Sequence, residues 1–256
     1  MRDSSASKKT QWRPLVAIRD LTKDFGGVHA LRGVSLTVSE GELVGLVGPN
    51  GSGKTTLVNL ISGALLPSSG VIELNGRDIV GLPPHQVAHL GIARTHQIPR
   101  PFATLTVRDN VAIAIMFGRD PQGLAHSREA ATEYLALVGL THLEAELPGH
   151  VNLHERQLLE MARAMASEPK VLMLDEPTAG MHPRETQEVT ELTGKLRDER
   201  GYTILLIEHD MRVVKGVSDR VVALDYGRKI AEGTYEEVAH DERVIEAYLG
   251  RKEAVG

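Results

Sequence analysis

"GPNGSGKTT", residues 48–56, decides the architecture of this chain. The stretch fits glycine, four residues, glycine, lysine, then Ser or Thr. Glycines allow the backbone of Gly48, Pro49, Asn50, Gly51, Ser52 and Gly53 to curl, so that successive N–H groups point into one concavity able to hold phosphate oxygens. A helix starting near Lys54 would add its positive N-terminal end. Lys54 is placed to reach the β- and γ-phosphates of a nucleotide. The Thr55 hydroxyl suits Mg²⁺, a hard ion that takes oxygen ligands, and Thr56 completes the set of nucleotide-binding residues. Read without function, the same residues are a glycine-rich strand-to-helix turn with a surface lysine. The strand pattern before it ("ELVGLVGP", 42–49) and the helix pattern after it ("KTTLVNLISGAL", 54–65) favour the nucleotide site.

Outward from this loop, short apolar strands alternate with helical patterns, which predicts an α/β fold. "LVAIRDLTKDF" (15–25) and "GVSLTVSE" (33–40) alternate like strands with one wet face and predict an antiparallel edge subdomain. "GVIELNG" (70–76) is another strand, and "LPPHQVAHLG" (82–91) a short helix. From about 99 to 165 the pattern changes. "LTVRDNVAIAIMFG" (105–118), "SREAATEYLALVGL" (127–140) and "NLHERQLLEMARAMAS" (152–167) all have helical spacing with no strand between them. The expected organisation is one domain, 14–250, with a mixed-sheet core at 14–98 and 166–250 and an inserted helical subdomain between. In the second core segment, "KVLMLDEP" (170–177) and "YTILLIEHD" (202–210) are almost continuously apolar, as strands covered on both faces are. "PRETQEVTELTGKLRDERG" (183–201) is a helix with proline near its start and glycine past its end. "DRVVALDYGRKIAEGTYEEV" (219–238) reads as a hairpin and a helix, and "DERVIEAYLG" (241–250) as a last short helix.

Four further residues carry candidate chemistry. Asp175 and Glu176 stand together at the end of an apolar strand. Beside a phosphate loop, Asp175 would position Mg²⁺ and Glu176 would accept a proton from the attacking water or orient it. Without that loop upstream, an acidic pair opening a turn before Pro177 would be the plainer reading. His209, closing the next buried strand, could donate to the γ-phosphate and hold the water, although a histidine there is more often a capping residue. Gln97, in "IARTHQIPRP" (92–101), could reach Mg²⁺ or the water through its amide oxygen, and equally could be a plain polar loop residue.

Composition sets the outer bounds. Of 256 residues, 41% are hydrophobic and 25% charged, ordinary for a globular protein with a sizeable core. The net charge of −5 gives no electrostatic footprint for nucleic acid. There is no cysteine, which excludes disulfides and thiolate metal sites. No apolar run approaches the roughly 18 residues that span a bilayer, so a membrane role would come through a partner. "MRDSSASKKTQWR" (1–13) is polar and basic, lacks an apolar signal-peptide region, and is expected to be a disordered tail.

The order of these motifs resembles that of an ATP-binding-cassette (ABC) ATPase: phosphate loop, Gln97 loop, helical insert, a signature-like helix start, the Asp175–Glu176 strand and His209. Within that family, "KDFGGVHAL" (23–31), "GIARTHQ" (91–97), "LLIEHDM" (205–211) and "VIEAYLG" (244–250) look like the ATP-binding subunits of branched-chain amino acid importers and their urea and amide relatives. The resemblance implies a P-loop NTPase fold with ATP and Mg²⁺ as cofactors. It implies Phe25 stacking on adenine and Gln97 coupling nucleotide to a docked membrane domain. The implied partners are transmembrane permease subunits, a second ATPase subunit and, indirectly, a solute-binding protein. The implied location is the cytoplasmic face of the membrane. Two cassettes would close head to tail, each ATP lying between one phosphate loop and the other chain's signature helix.

The signature itself departs from the family. Where Leu-Ser-Gly-Gly-Gln or a near variant is usual, this chain has Val151, Asn152, Leu153, His154 and Glu155. Asn152 retains an amide donor and, with Glu155 three residues on, resembles a capping box. His154 brings a ring where close approach is expected, so a looser grip on the partner's ATP is expected. "TAGMHP" (178–183) likewise puts His182 about where an aspartate is common. These departures raise three readings: a transport ATPase in an asymmetric pair, a nucleotide-binding regulatory subunit without turnover, and a cassette ATPase that works without a channel.

Overall fold

The computed structural model describes residues 13–249. The tail expected at 1–13 therefore lies outside the described residues except for its last one, as does residue 250 at the other end. Strands β1 (Pro14–Phe25) and β2 (Val28–Ser39) form a long hairpin, and β3 (Leu43–Val47) runs into the phosphate loop and helix α1 (Lys54–Ile61). β4 (Ser69–Leu74), β5 (Arg77–Asp78), α2 (Pro84–Leu90) and β6 (Ile92–Arg94) follow. Helices α3 (Val107–Met116), α4 (Leu124–Leu137) and α5 (Leu153–Ala166) come next, with no strand among the described residues between β6 and β7 (Val171–Asp175). The chain then alternates through α6 (Pro183–Arg200), β8 (Thr203–Glu208) and α7 (Met211–Val214). It ends in the hairpin β9 (Arg220–Asp225) and β10 (Arg228–Gly233) and helices α8 (Tyr235–Ala239) and α9 (Glu242–Leu249).

Two sheets result. The antiparallel one has the order β2-β1-β4-β5. The mixed one has the order β10-β9-β3-β8-β7-β6, with all pairs parallel except the edge hairpin β9–β10. The three central strands explain their continuous apolar sequence. Successive side chains point to opposite faces, and both faces are covered. Leu43 and Val47 of β3, Leu172 and Leu174 of β7, and Ile204 and Leu206 of β8 pack with the helical region and α6. Val44 and Leu46, Val171 and Met173, and Leu205 and Ile207 pack on the other side with α1 and the antiparallel sheet. Helix α1, with Leu57, Val58 and Ile61 buried, is thus held between the two sheets.

Two details differ from the sequence expectation. β6 is a strand of three residues inside what reads as a loop, and it exists because Ile92–Arg94 pair in parallel with Val171–Met173 at the sheet edge. Helix α4 begins at Leu124 rather than Ser127, its first turn closed by the Ser127 N–H donating to the Gly123 carbonyl. Ahead of α3, the buried Asn110 side chain donates to the carbonyls of Phe102, Leu105 and Thr106 and accepts from the Phe102 amide, fixing the entry to the helices. Among the described residues no helix is long and apolar enough to cross a membrane.

One charged group is built into the central sheet. Glu208, the last residue of β8, is fully buried. Its Oε1 accepts from the Thr178 hydroxyl at 2.8 Å, and its Oε2 has no partner. Burial, with the Glu176 charge added, pushes this carboxyl up to about 7 despite the Thr178 bond. A carboxyl whose folded value is raised binds its proton more tightly in the native state. Its stabilising contribution is whole below the ordinary glutamate range and is lost as pH rises through about 7. Wild-type protein should therefore lose roughly 2–3 kcal/mol of unfolding free energy between pH 5 and pH 8 relative to Glu208→Gln. Urea titrations across that range measure the difference, and parallel curves for the two proteins would contradict it.

Candidate functional site

The parallel register brings three strand ends to one edge of the sheet. Val47 lies opposite Glu208 and Asp175 opposite Ile207. The phosphate loop, the Asp175–Glu176 pair and His209 consequently emerge side by side, at the carboxyl ends where open α/β sheets bind ligands. The loop's curl depends on two glycines. Gly48 has φ +151°, and a Cβ there would stand 2.2 Å from the Leu224 carbonyl oxygen. Gly53 has φ +105°, and its Cβ would meet the Ala30 carbonyl oxygen at 2.8 Å. No side chain fits either place, so these contacts press the loop against β2 and β9.

Asn50, Gly51, Ser52, Gly53, Lys54, Thr55 and Thr56 line a cleft of about 460 Å³, with Gln97 and Glu176 across it. Gly48 and Pro49 lie behind the lining, where their carbonyl oxygens accept from the Lys54 ammonium at 2.6 and 3.1 Å. Burial pulls the Lys54 ammonium below the usual lysine range, opposed by the charges of Glu176, Asp175 and Glu208. A larger groove of about 1130 Å³, between Arg13, Tyr134 and Tyr202, contains no phosphate-loop residue and neither Asp175 nor Glu176.

The acidic pair is held from several sides. Asp175 is buried; its Oδ2 lies 3.4 Å from the Arg94 guanidinium, and its amide donates to the Thr95 hydroxyl at 3.1 Å. Burial raises this carboxyl above the ordinary aspartate range, with Arg94 pulling the other way and Glu176 adding to the rise. Glu176 sits in the left-handed backbone region at φ +46°, a conformation that side chains rarely adopt and that clusters at functional sites. Its amide donates to the Ile207 carbonyl at 2.9 Å, which fixes the turn. Gln97 Nε2 donates to Glu176 Oε2 at 2.7 Å, and His209 Nδ1 lies 3.5 Å from the same oxygen. Gln97, Glu176 and His209, which lie far apart in sequence, are therefore one cluster.

This cluster is wired to helix α5. The Gln97 carbonyl accepts from Gln157 Nε2 at 3.0 Å, His96 Nδ1 is 2.9 Å from Glu160, and Arg163 donates to the Arg100 carbonyl at 3.1 Å. Residues 157, 160 and 163 follow helical spacing along one face. At the start of α5, the expected capping box is present: Asn152 Oδ1 accepts from the Glu155 amide, and Glu155 Oε2 from the Asn152 amide. His154 is turned toward α6, with Nδ1 3.8 Å from Glu185 and Nε2 buried without a partner. Phe25 is half exposed, lies outside the cleft lining, and has the Lys23 ammonium 4.8 Å above its ring.

Sequence reasoning missed Arg94, Thr178, Glu208 and Gln157. Arg94 lies in "GIARTHQ", three residues before Gln97, and its basic charge upstream of an acidic strand end was the available signal. Nothing local marks Gln157 or Thr178; their partners are 60 and 30 residues away.

Comparison with known proteins agrees with this geometry. Residues 31–179 match the family described as ABC transporter, and residues 228–254 the family described as branched-chain amino acid ATP-binding cassette transporter. The chain is 40% identical to the high-affinity branched-chain amino acid transport ATP-binding protein BraF of Pseudomonas aeruginosa, over 93% of this chain and 98% of that one. Among solved structures, it is similar to the ADP conformation of MJ1267, an ATP-binding cassette of an ABC transporter. There the TM-score is 0.84 at 31% identity, covering 93% of this chain and 99% of that one. It is also similar to the cassette MJ0796, solved as a dimer in a post-hydrolysis state with ADP and Pi, with a TM-score of 0.77 at 26% identity over 85% and 97% of the two chains. The chain therefore belongs to the ABC transporter family, as one of its ATP-binding cassettes, and has the fold of an ABC ATPase.

Proposed function

We propose that this chain is the ATP-hydrolysing subunit of a membrane importer for branched-chain amino acids or a related small polar solute. The observation that carries the reading is the double use of Gln97. Its side chain holds the Glu176 carboxylate while its backbone accepts from Gln157 of α5. A change at the γ-phosphate side is thereby passed to the helical subdomain, about residues 99–165, on which transmembrane subunits would dock. The likeness to BraF supports the solute class. A second cassette, permease subunits and an external solute-binding protein would complete the machine, with this chain bound peripherally at the cytoplasmic face.

In the proposed site, the loop amides and Lys54 bind the phosphates, Glu176 takes a proton from the attacking water, and His209 donates toward the γ-phosphate. The residues present fit Mg²⁺. Thr55, Asp175 and Gln97 offer oxygens, and because the Gln97 amide nitrogen is engaged by Glu176, its Oε1 is the free end. Among the described residues no group of three His, Cys, Asp or Glu could cage a metal alone, which suits an ion that arrives with its phosphates and takes one or two carboxylates. When bound, Mg²⁺ would neutralise charge on the transferred phosphoryl group.

Substituting Glu176→Gln should leave Mg·ATP binding in place and lower hydrolysis by about a hundredfold or more. Retained binding with unchanged hydrolysis would favour a regulatory subunit instead. In the assembled pair, Asn152→Ser combined with His154→Gly should change turnover only at the partner's phosphate loop, since α5 faces that site. Equal native rates at the two sites, measured with each cassette's lysine removed in turn, would rule out the asymmetry.

A further inference from the structure

Arg94, the last residue of β6, brings a positive charge to the acidic end of the sheet. Its side chain is 18% exposed and that of Asp175 5%, so the two charges meet away from bulk water. The guanidinium is seated on helix α1. Its Nη1 donates to Asn59 Oδ1 at 2.6 Å and to the Ser62 hydroxyl at 3.3 Å. Only Nη2 turns to Asp175, reaching Oδ2 at 3.4 Å. The Nε is buried without a partner. A tie between α1 and β7 alone needs no charge, and burying a guanidinium with one donor unpaired costs stability. The position keeps its charge at that cost, which points to a use for it.

The surroundings suggest the use. Asp175 and Glu176 put two carboxyl groups side by side, and Glu208 bears on the same space, since all three act on the Lys54 ammonium. Lys54 itself is engaged by the Gly48 and Pro49 carbonyls. Clustered carboxylates attract a divalent cation whether or not a nucleotide accompanies it. A positive charge 3.4 Å from one of them opposes that attraction. Asn59 and Ser62 hold this guanidinium independently of Asp175, so it does not depend on the carboxylate for its place.

We propose that Arg94 is a resident counter-ion that sets the metal selectivity of this site, keeping Asp175 from a divalent cation until one arrives with phosphates. The inference rests on Asp175 being the metal-positioning residue of the proposed ATP site. A triphosphate brings several negative charges, which outweigh one guanidinium. The site thereby accepts Mg²⁺ with its nucleotide and rejects the free ion.

Mn²⁺, a paramagnetic ion that also takes oxygen ligands, tests this by electron paramagnetic resonance on the full chain without nucleotide. Arg94→Gln keeps hydrogen-bonding capacity and drops the charge, and should bind Mn²⁺ at least about tenfold tighter than wild type. Arg94→Met should do the same, so either variant carries the test if the other fails to fold. Arg94→Lys should stay within about threefold of wild type, since it keeps a positive charge. Adding Asp175→Asn to Arg94→Gln should abolish the gain. No gain in the neutral variants, an equal gain in Arg94→Lys, or a gain that survives Asp175→Asn would overturn the proposal. Asp175→Asn alone, titrated with ATP with and without Mg²⁺, separates the two levels. If it leaves the Mg²⁺-dependent part of ATP binding unchanged, the metal reading of Asp175 fails. If it removes that part while Arg94→Gln gains no Mn²⁺, only the Arg94 assignment fails.

Discussion

The parallel register of β3, β8 and β7 is the constraint on which the rest depends. With Val47 opposite Glu208 and Asp175 opposite Ile207, the phosphate loop, Glu176 and His209 leave the sheet together. A slip of one residue would turn each strand's buried set to the wrong face. Leu43 and Val44, for instance, would exchange the helical side for the α1 side. Two well-filled cores therefore hold the register, and the site inherits its geometry from them rather than from its own loops. The glycines at 48 and 53 set a second, finer limit, because they admit backbone oxygens of Leu224 and Ala30 that no side chain would clear.

Against that rigid edge stands one adaptable connection. Helix α5 meets the 96–100 loop through Gln157, Glu160 and Arg163, and the loop meets the sheet edge through Gln97. A polar connection of this kind can change partners at modest cost, unlike a packed apolar face. The signature end of the same helix is tied by His154 to Glu185 of α6, so both the start and the flank of α5 lean on the core. Leu153 completes this, with its Cδ2 3.5 Å from where a Cβ on Gly180 would stand. The departure from the family signature thus has a local structural account. Asn152 and Glu155 cap the helix with each other, and the imidazole at 154 turns inward instead of projecting from the helix end.

Much of this was legible in the sequence, because the decisive signals are local. The spacing of Gly48, Gly53, Lys54 and Thr55 needs only its own turn to be recognised. The apolar runs at 171–174 and 203–207 announce strands covered on both faces, and Asn152 with Glu155 announces a cap. What was hidden depends on contacts between distant segments. β6 is too short to show a period and exists only beside β7. Arg94 acquires its meaning from Asp175, 81 residues on. Glu208 reads as an ordinary strand-end acid, yet sheet pairing buries it wholly. Tyr226 lines the cleft through a two-residue turn whose positive φ its side chain disfavours, so no local signal announces it there.

The account stands on one triphosphate being gripped at this shared strand edge. A structure of the Glu176→Gln chain trapped with Mg·ATP tests it most directly. The account predicts the γ-phosphate within hydrogen-bond reach of Lys54 Nζ, with Gln97 and His209 on its far side and Asp175 toward the metal. A triphosphate seated elsewhere, such as the groove beside Tyr134 and Tyr202, or a Lys54 ammonium still bound to the Gly48 carbonyl with nucleotide present, would contradict it.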